Sequence, residues 1–165
     1  MILTEGKIKF DFTAALNAKK FDDPTSHQLS VMKAVDFIIE EDSRFLFIEV
    51  KDPQNPLANL ENASKYLDNF KSGRLQSMLK YKYRDSYLYE VASGNINKNI
   101  IYVVIIAHDT LTDADLLMQN DLLKKGLPIN GPSGHSWKKF VEGSMIVNLE
   151  KWNILFNIYP ATRIR

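Results

Sequence analysis

The clearest pattern in the chain is an alternation of apolar and polar residues over two neighbouring segments. Residues 33–40 (KAVDFIIE) and 45–51 (FLFIEVK) are both strand-like, and the four residues between them, 41–44 (EDSR), are polar. Two strand-like runs joined by a short polar connection predict a β-hairpin.

A symmetric turn fixes which residues of this hairpin face each other. Turns of two and of four residues give the same register, which makes one face wholly apolar, as a buried face requires. The apolar pairs are Ile39 with Leu46, Phe37 with Ile48, and Val35 with Val50. The opposite face then carries Asp36 across from Glu49, with Lys51 about 7 Å further along the strand. Two acids and an ammonium group are therefore expected at one spot.

The rest of the chain alternates between strand-like and helical patterns. We predict strands at residues 7–12, 100–107 and 145–147, a short helix at 13–20 with Thr13 as its N-cap, and a turn at 21–26. Further helices are predicted from Asn55-Pro56 to about Val91, with a break at Ser72-Gly73, from Thr112 to Lys125 with a Thr112–Asp115 capping box, and after Asn148. This order predicts an α/β fold, a mixed central β-sheet flanked by helices, in a single domain over residues 1–165.

Composition narrows the class of protein. The 165 residues are 45% hydrophobic and 25% charged, as in ordinary globular domains. No run approaches the roughly 20 apolar residues of a membrane helix, and the first seven residues do not resemble a signal peptide. The absence of cysteine excludes disulfides and thiolate metal sites. We expect a cytoplasmic protein with no membrane partner.

The paired acids require a compensating charge. Two carboxylates about 5 Å apart repel by roughly 3 kcal/mol at an effective dielectric constant near 20. A divalent cation would remove this repulsion, and carboxylates on rigid strands suit a hard ion such as Mg²⁺. Lys51 would offset part of it, and protonation of one acid is the third solution. The sequence leaves all three open.

The spacing of these residues resembles a known nuclease motif. Asp36, then twelve residues, then Glu49-Val50-Lys51 is similar to the PD-(D/E)XK motif of restriction-endonuclease-like nucleases, with the likeness clearest over roughly residues 33–107. The resemblance implies a restriction-endonuclease-like fold and metal-dependent phosphodiester hydrolysis, with DNA as the expected substrate. It implies that Asp36, Glu49 and the backbone carbonyl of Val50 bind Mg²⁺ or Mn²⁺. It also implies that Asp36, Glu49 and Lys51 form the catalytic centre, where Lys51 orients or activates the attacking water.

Two positions depart from the family pattern. Val35 stands where the family often has proline, and the predicted helix at 13–20 lacks the acid that members often carry there. Asp22 and Asp23, just after that helix, are the candidate accessory acids. A catalytically inactive binding or assembly subunit of the same fold is therefore the alternative function. A second alternative is an interaction protein of unrelated fold whose acids are merely exposed.

Basic residues interleaved with tyrosines mark the candidate nucleic-acid contacts. They are Lys71, Arg74, Lys80, Lys82 and Arg84. A solvated helix face explains them more simply, because Asp85 and Glu90 dilute the charge. The net charge of +1 also requires any phosphate contact to come from local patches. Related nucleases often need two active sites for two strands, so a homodimer is one expected assembly.

Overall fold

Two β-sheets and four helices make up the described part of the protein. The computed structural model describes residues 1–25, 31–55, 60–130, 134 and 141–164, with the backbone alone at 60–63. The strands are β1 (Ile2–Glu5), β2 (Ile8–Asp11), β3 (Asn17–Lys20), β4 (Phe37–Glu40), β5 (Arg44–Lys51), β6 (Asn99–Ile106), β7 (Gly143–Val147) and β8 (Ala161–Arg163). The helices are α1 (Leu60–Lys71), α2 (Gln76–Ala92), α3 (Asp113–Gly126) and α4 (Leu149–Leu155).

The larger sheet has the strand order β3-β4-β5-β6-β7. Strands β3, β4 and β5 pair in antiparallel fashion, whereas β5, β6 and β7 run parallel. Strands β5 and β6 are buried along most of their length, as expected of central strands covered on both faces. The predicted mixed sheet in an α/β protein is therefore confirmed.

The two faces of this sheet are covered by different layers. One face packs against α1, α2 and α3 through residues such as Phe47, Tyr102, Phe70, Tyr83 and Leu116. The other packs against α4 and a smaller antiparallel sheet of order β1-β2-β8, through Phe37, Ile48, Phe10 and Trp152 among others. Helices thus flank one face, and the second sheet, which the sequence did not predict, shares the other face with α4.

The predicted hairpin register is correct within the strands. Phe37 pairs with Ile48 and Ile39 with Leu46. The ladder ends at Phe37, however, and Val35 does not face Val50. It lies in the core on the helical side of the sheet, because its N–H donates to Ser86 Oγ of α2 at 2.9 Å. Asp36 still bonds to Ile48 of β5 and to Phe21 just after β3, so the chain leaves the sheet just before Asp36.

Several predicted boundaries are confirmed by the structure. The capping box of Thr112 and Asp115 is formed at α3, and Asn148 caps α4. Helix α1 ends before Gly73, whose φ of 77° suits glycine. The predicted helix start at Asn55-Pro56 falls partly on residues 56–59, outside the described residues. Within the parts of the chain described above, no helix combines the length and apolar character needed to cross a bilayer.

The helix predicted at residues 13–20 is wrong. Its second half forms the edge strand β3, where Ala18 pairs with Ile39 and is buried in the core. Thr13 caps no helix, and its N–H and hydroxyl both bond to Asp11 Oδ1. Alanine and lysine are good helix formers, but intrinsic propensity is a weak determinant, and pairing with a buried neighbouring strand outweighs it.

Candidate active site

Asp36 is held at the entry to β4 by both its backbone and its side chain. Its N–H donates to the Ile48 carbonyl at 3.0 Å, and its carbonyl accepts from Phe21 N–H at 2.8 Å. Its carboxylate oxygen Oδ2 accepts the N–H of Val50 at 2.6 Å. The side chain is 3% exposed. Asp36 is therefore a fixed, buried acid located between β3 and β5.

Glu49 lies in the central strand β5 and is completely buried. Its Oε1 forms an ion pair with Lys51, and its Oε2 lies 3.1 Å from Lys82 Nζ. Neither oxygen accepts a hydrogen bond of good geometry from the residues that the structure describes. Burial, and then the negative charge of Asp36, raise the pKa of Glu49 to about 7 against the opposing effect of the two lysines.

Lys82 connects the two acids. It extends from α2 so that its Nζ lies 3.5 Å from Asp36 Oδ1 as well as 3.1 Å from Glu49 Oε2. Only 17% of its side chain is exposed. The sequence placed Lys82 among the nucleic-acid contacts, whereas the structure places it inside the acid cluster.

Lys51 lies on the same side of the sheet as Glu49, as predicted. Burial is the largest influence on the pKa of Lys51 and lowers it, but the charges of Glu49 and Asp36 outweigh it and leave the pKa raised. Lys51 is therefore a charged ammonium beside the two acids. A quarter of its side chain, 25%, reaches solvent, so it can contact a molecule arriving from outside.

Two further acids extend the cluster toward solvent. Carboxylate oxygens of Glu5, Asp22 and Asp36 all lie within 4.8 Å of one another, a grouping that could hold a metal ion. Lys20 Nζ contacts Glu5 at 2.7 Å and Asp22 at 4.0 Å. Burial, then the charges of Asp36 and Glu5, raise the pKa of Asp22 to about 6, although 30% of its side chain is exposed.

The candidate accessory acids therefore separate. Asp22 joins the cluster, but Asp23 does not, because its Oδ1 accepts hydrogen bonds from the backbone and hydroxyl of Thr25. Asp23 stabilises a local turn instead.

The backbone of Val50 shows in which direction its carbonyl points. The N–H and C=O of one strand residue point to the same side of the strand, and the Val50 N–H points to Asp36. The next carbonyl, that of Lys51, points the other way and accepts Ala107 N–H at 2.8 Å. The backbone oxygen of Val50 is thus directed to the side of β5 on which Asp36 lies.

The other basic residues predicted to contact nucleic acid lie apart from Lys82. Lys71 is 3.6 Å from Asp115, and Arg74 is exposed. Lys80 and Arg84 flank the Tyr81 ring and line a groove of about 610 Å³ between α2 and residues 126–128. The five residues therefore do not form one continuous patch.

Sequence reasoning missed Glu5 and Lys20 as members of the cluster. Glu5 ends β1, and the two-residue turn Gly6-Lys7, with Gly6 at φ 54°, joins it to β2. A glycine opening a two-residue turn is a recognised hairpin signal, but the four residues before it (ILTE) show no alternation that would have marked them as a strand. Lys20 was hidden by the wrong helix assignment.

The cluster as a whole brings four acids and three ammonium groups together. The acids are Glu5, Asp22, Asp36 and Glu49, and the lysines are Lys20, Lys51 and Lys82. Carboxylate and carbonyl oxygens are ligands for hard divalent cations, and ammonium groups attract phosphate. Comparisons of the chain with protein-family models, with curated proteins and with solved structures found no match.

Proposed function

We propose that the protein is a metal-dependent phosphodiesterase, a DNA endonuclease of the PD-(D/E)XK class with a restriction-endonuclease-like fold. The observation that carries this proposal is that Asp36 and Glu49, both buried, lie on one side of the β4–β5 hairpin within reach of a shared ammonium. Lys51 follows two residues later on the same side. The mixed sheet, with β4–β5 antiparallel and β5–β6 parallel, accommodates the arrangement that the motif implies.

The residues present fit a divalent cation. Glu49 is completely buried, and its two oxygens contact the ammonium groups of Lys51 and Lys82 without a hydrogen bond of good geometry in the described part of the chain. A bound cation would neutralise the acids further than these ion pairs do. Asp36, Glu49 and the Val50 carbonyl would hold Mg²⁺ or Mn²⁺, and Asp22 and Glu5 offer further oxygens. Such an ion, when bound, lowers the pKa of water and neutralises charge on a phosphate.

Groups of the chain that do not bind the metal would have separate roles in the reaction. Lys51, charged and partly exposed, would orient the attacking water and stabilise negative charge developing on the phosphate. The N–H of Val50 holds the Asp36 carboxylate in place, so that this acid does not have to reorganise during the reaction. A cytoplasmic setting, DNA as the partner and a homodimeric assembly are parts of the same proposal.

A cleavage assay tests the proposal directly. Purified protein is incubated with plasmid and with single-stranded DNA in Mg²⁺ or Mn²⁺, beside Lys51→Ala and Asp36→Asn. We expect cleavage by the wild type and a loss of at least about 100-fold in each variant, the scale seen when one group that stabilises charge is removed. Lys98→Ala is the matched control, because Lys98 is also ion-paired but with Glu40. Equal inactivity of wild type and Lys51→Ala on every substrate would exclude catalysis.

An inactive binding or assembly subunit is the second candidate. It is favoured by the ion pairs of Glu49 with Lys51 and Lys82, which partly neutralise the acids without any metal, and by the net charge of +1. Calorimetry with Mg²⁺ and Mn²⁺ separates the two. If neither ion binds with an affinity that depends on Asp36, the inactive subunit is favoured.

A further inference from the structure

Lys82 is an unusual lysine because its ammonium group lies among buried acids instead of in water. Lysine side chains normally extend to keep the charged end hydrated. Here the side chain is 17% exposed, and Nζ lies within 3.5 Å of Asp36 and 3.1 Å of Glu49. The mutual attraction of three charges therefore holds it in the site.

The position of this ammonium matches a requirement of the two acids. Asp36 and Glu49 repel each other, and a cation between them removes that repulsion. Lys51 pairs with Oε1 of Glu49, whereas Lys82 is the described group that contacts both Asp36 and Glu49. Lys82 thus occupies the position that suits a cation shared by the two acids.

We infer that Lys82 is a built-in counter-ion, which occupies the cation position between Asp36 and Glu49 and leaves it when a divalent cation binds. The inference rests on the proposed metal site. Two positive charges cannot share the same pair of oxygens without strong repulsion, so metal binding must displace the ammonium. The long, flexible stem of lysine allows this movement without a change in α2.

Calorimetric titration with Mn²⁺ tests the inference, using wild type, Lys82→Met and Lys80→Met. Lys80 is the matched control, because it lies on the same helix but beside Tyr81 and Gly126. Removing the competing ammonium is expected to tighten Mn²⁺ binding about tenfold, or about 1.4 kcal/mol. Lys80→Met is expected to bind as the wild type does. Unchanged or weaker binding by Lys82→Met would overturn the inference.

Unfolding in urea provides a second readout that does not depend on activity. In EDTA, Lys82→Met is expected to unfold at lower urea than the wild type, because two buried acids lose their counter-ion. In saturating Mn²⁺ the difference between the two proteins is expected to narrow by about 1.4 kcal/mol, since a tenfold tighter binder gains that much more from the ligand. A difference that is the same in EDTA and in Mn²⁺ would count against displacement. Lys82→Gln repeats both measurements with a polar, uncharged side chain if the methionine variant does not fold.

Asp36→Asn separates this inference from the proposed function. If Mn²⁺ binds the wild type, is lost in Asp36→Asn and is unaffected by Lys82→Met, the metal site stands and the role of Lys82 is wrong. If Mn²⁺ binds neither the wild type nor Lys82→Met, both proposals are wrong. Binding to Lys82→Met alone would show that the ammonium occupies the cation position but does not leave it, which would overturn displacement and favour the inactive subunit.

Discussion

Glu49 shows how strongly burial governs the charge of one residue. Two ammonium groups contact its carboxylate, and each alone would favour the charged form. Complete burial and the neighbouring charge of Asp36 nevertheless raise its pKa to about 7. Tyr66, whose pKa is raised by burial and then by the charge of Glu49, adds no described hydrogen bond to the pair. Glu49 therefore keeps its proton to a higher pH than an ordinary glutamate does.

The stability of the cation-free protein should consequently fall as the pH rises toward neutrality. An unfolded glutamate titrates near 4.3, so between about 4.5 and 7 the folded state binds more protons than the unfolded state at Glu49, and the free energy of unfolding decreases with pH. Asp22, with a pKa of about 6, acts in the same direction. Urea unfolding in EDTA should show Glu49→Gln flattening this fall by on the order of 1–3 kcal/mol. The exposed Glu150→Gln should reproduce the wild-type curve, and an unchanged fall in Glu49→Gln would contradict the assignment.

At the scale of elements, one face of α2 fixes the segment that leads into Asp36. Asp85 Oδ2 accepts the N–H of Lys33 at 2.8 Å, and Ser86 Oγ accepts that of Val35 at 2.9 Å. Lys82 on the same face contacts Asp36 itself. Residues three and four positions apart share a helix face, so a single turn of α2 positions both the backbone and the acid.

Removal of the Ser86 hydroxyl should therefore destabilise the protein despite the better helix propensity of alanine. Ser86→Ala leaves the buried N–H of Val35 without its acceptor, which costs about 1–3 kcal/mol, while the propensity gain is only a few tenths. The free energy of unfolding from urea titration measures the difference. Ser77→Ala, at an exposed position of the same helix, should be neutral or slightly stabilising. Equal effects at the two serines would show that the Ser86 hydrogen bond contributes nothing.

The same elements show what the sequence could and could not predict. The β4–β5 register followed from apolar alternation, because a slip of one residue would expose a whole buried face. The position of Lys82 did not follow from the sequence. Its neighbours on α2 are also charged, so helical periodicity does not show which lysine points toward the acids. Asp85 and Ser86 likewise look like ordinary surface residues until β4 is placed beside them. Strands β1 and β8 are four and three residues long, too short for a clear periodic pattern.

At the scale of the whole molecule, the candidate site combines residues from several layers. Glu5 comes from the small sheet, Asp36 and Glu49 from the hairpin of the large sheet, and Lys82 from the helical layer. Mutual placement of these layers, rather than local structure, therefore decides the geometry of the cluster. Arg163 of β8 is one tie between them, since it donates to Asp52 Oδ1 at 2.7 Å and to the Ala107 carbonyl at 2.8 Å.

A double-mutant cycle on Arg163 and Asp52 should measure how firmly this tie holds the layers together. The Asp52 side chain is 8% exposed and that of Arg163 is 30% exposed. The acid is therefore buried, whereas solvent partly screens the charge of the arginine. Arg163→Met, Asp52→Asn and the double variant should give a coupling of about 1–2 kcal/mol in urea unfolding, between the values for surface and buried pairs. The matched cycle on Lys151 and Asp113, whose Nζ and Oδ2 are 2.9 Å apart but where the acid is 80% exposed, should give a coupling close to zero. Because Asp52 directly follows Lys51, a coupling no larger than that of the control would mean that this ion pair does not hold the carboxyl end of β5 to the small sheet.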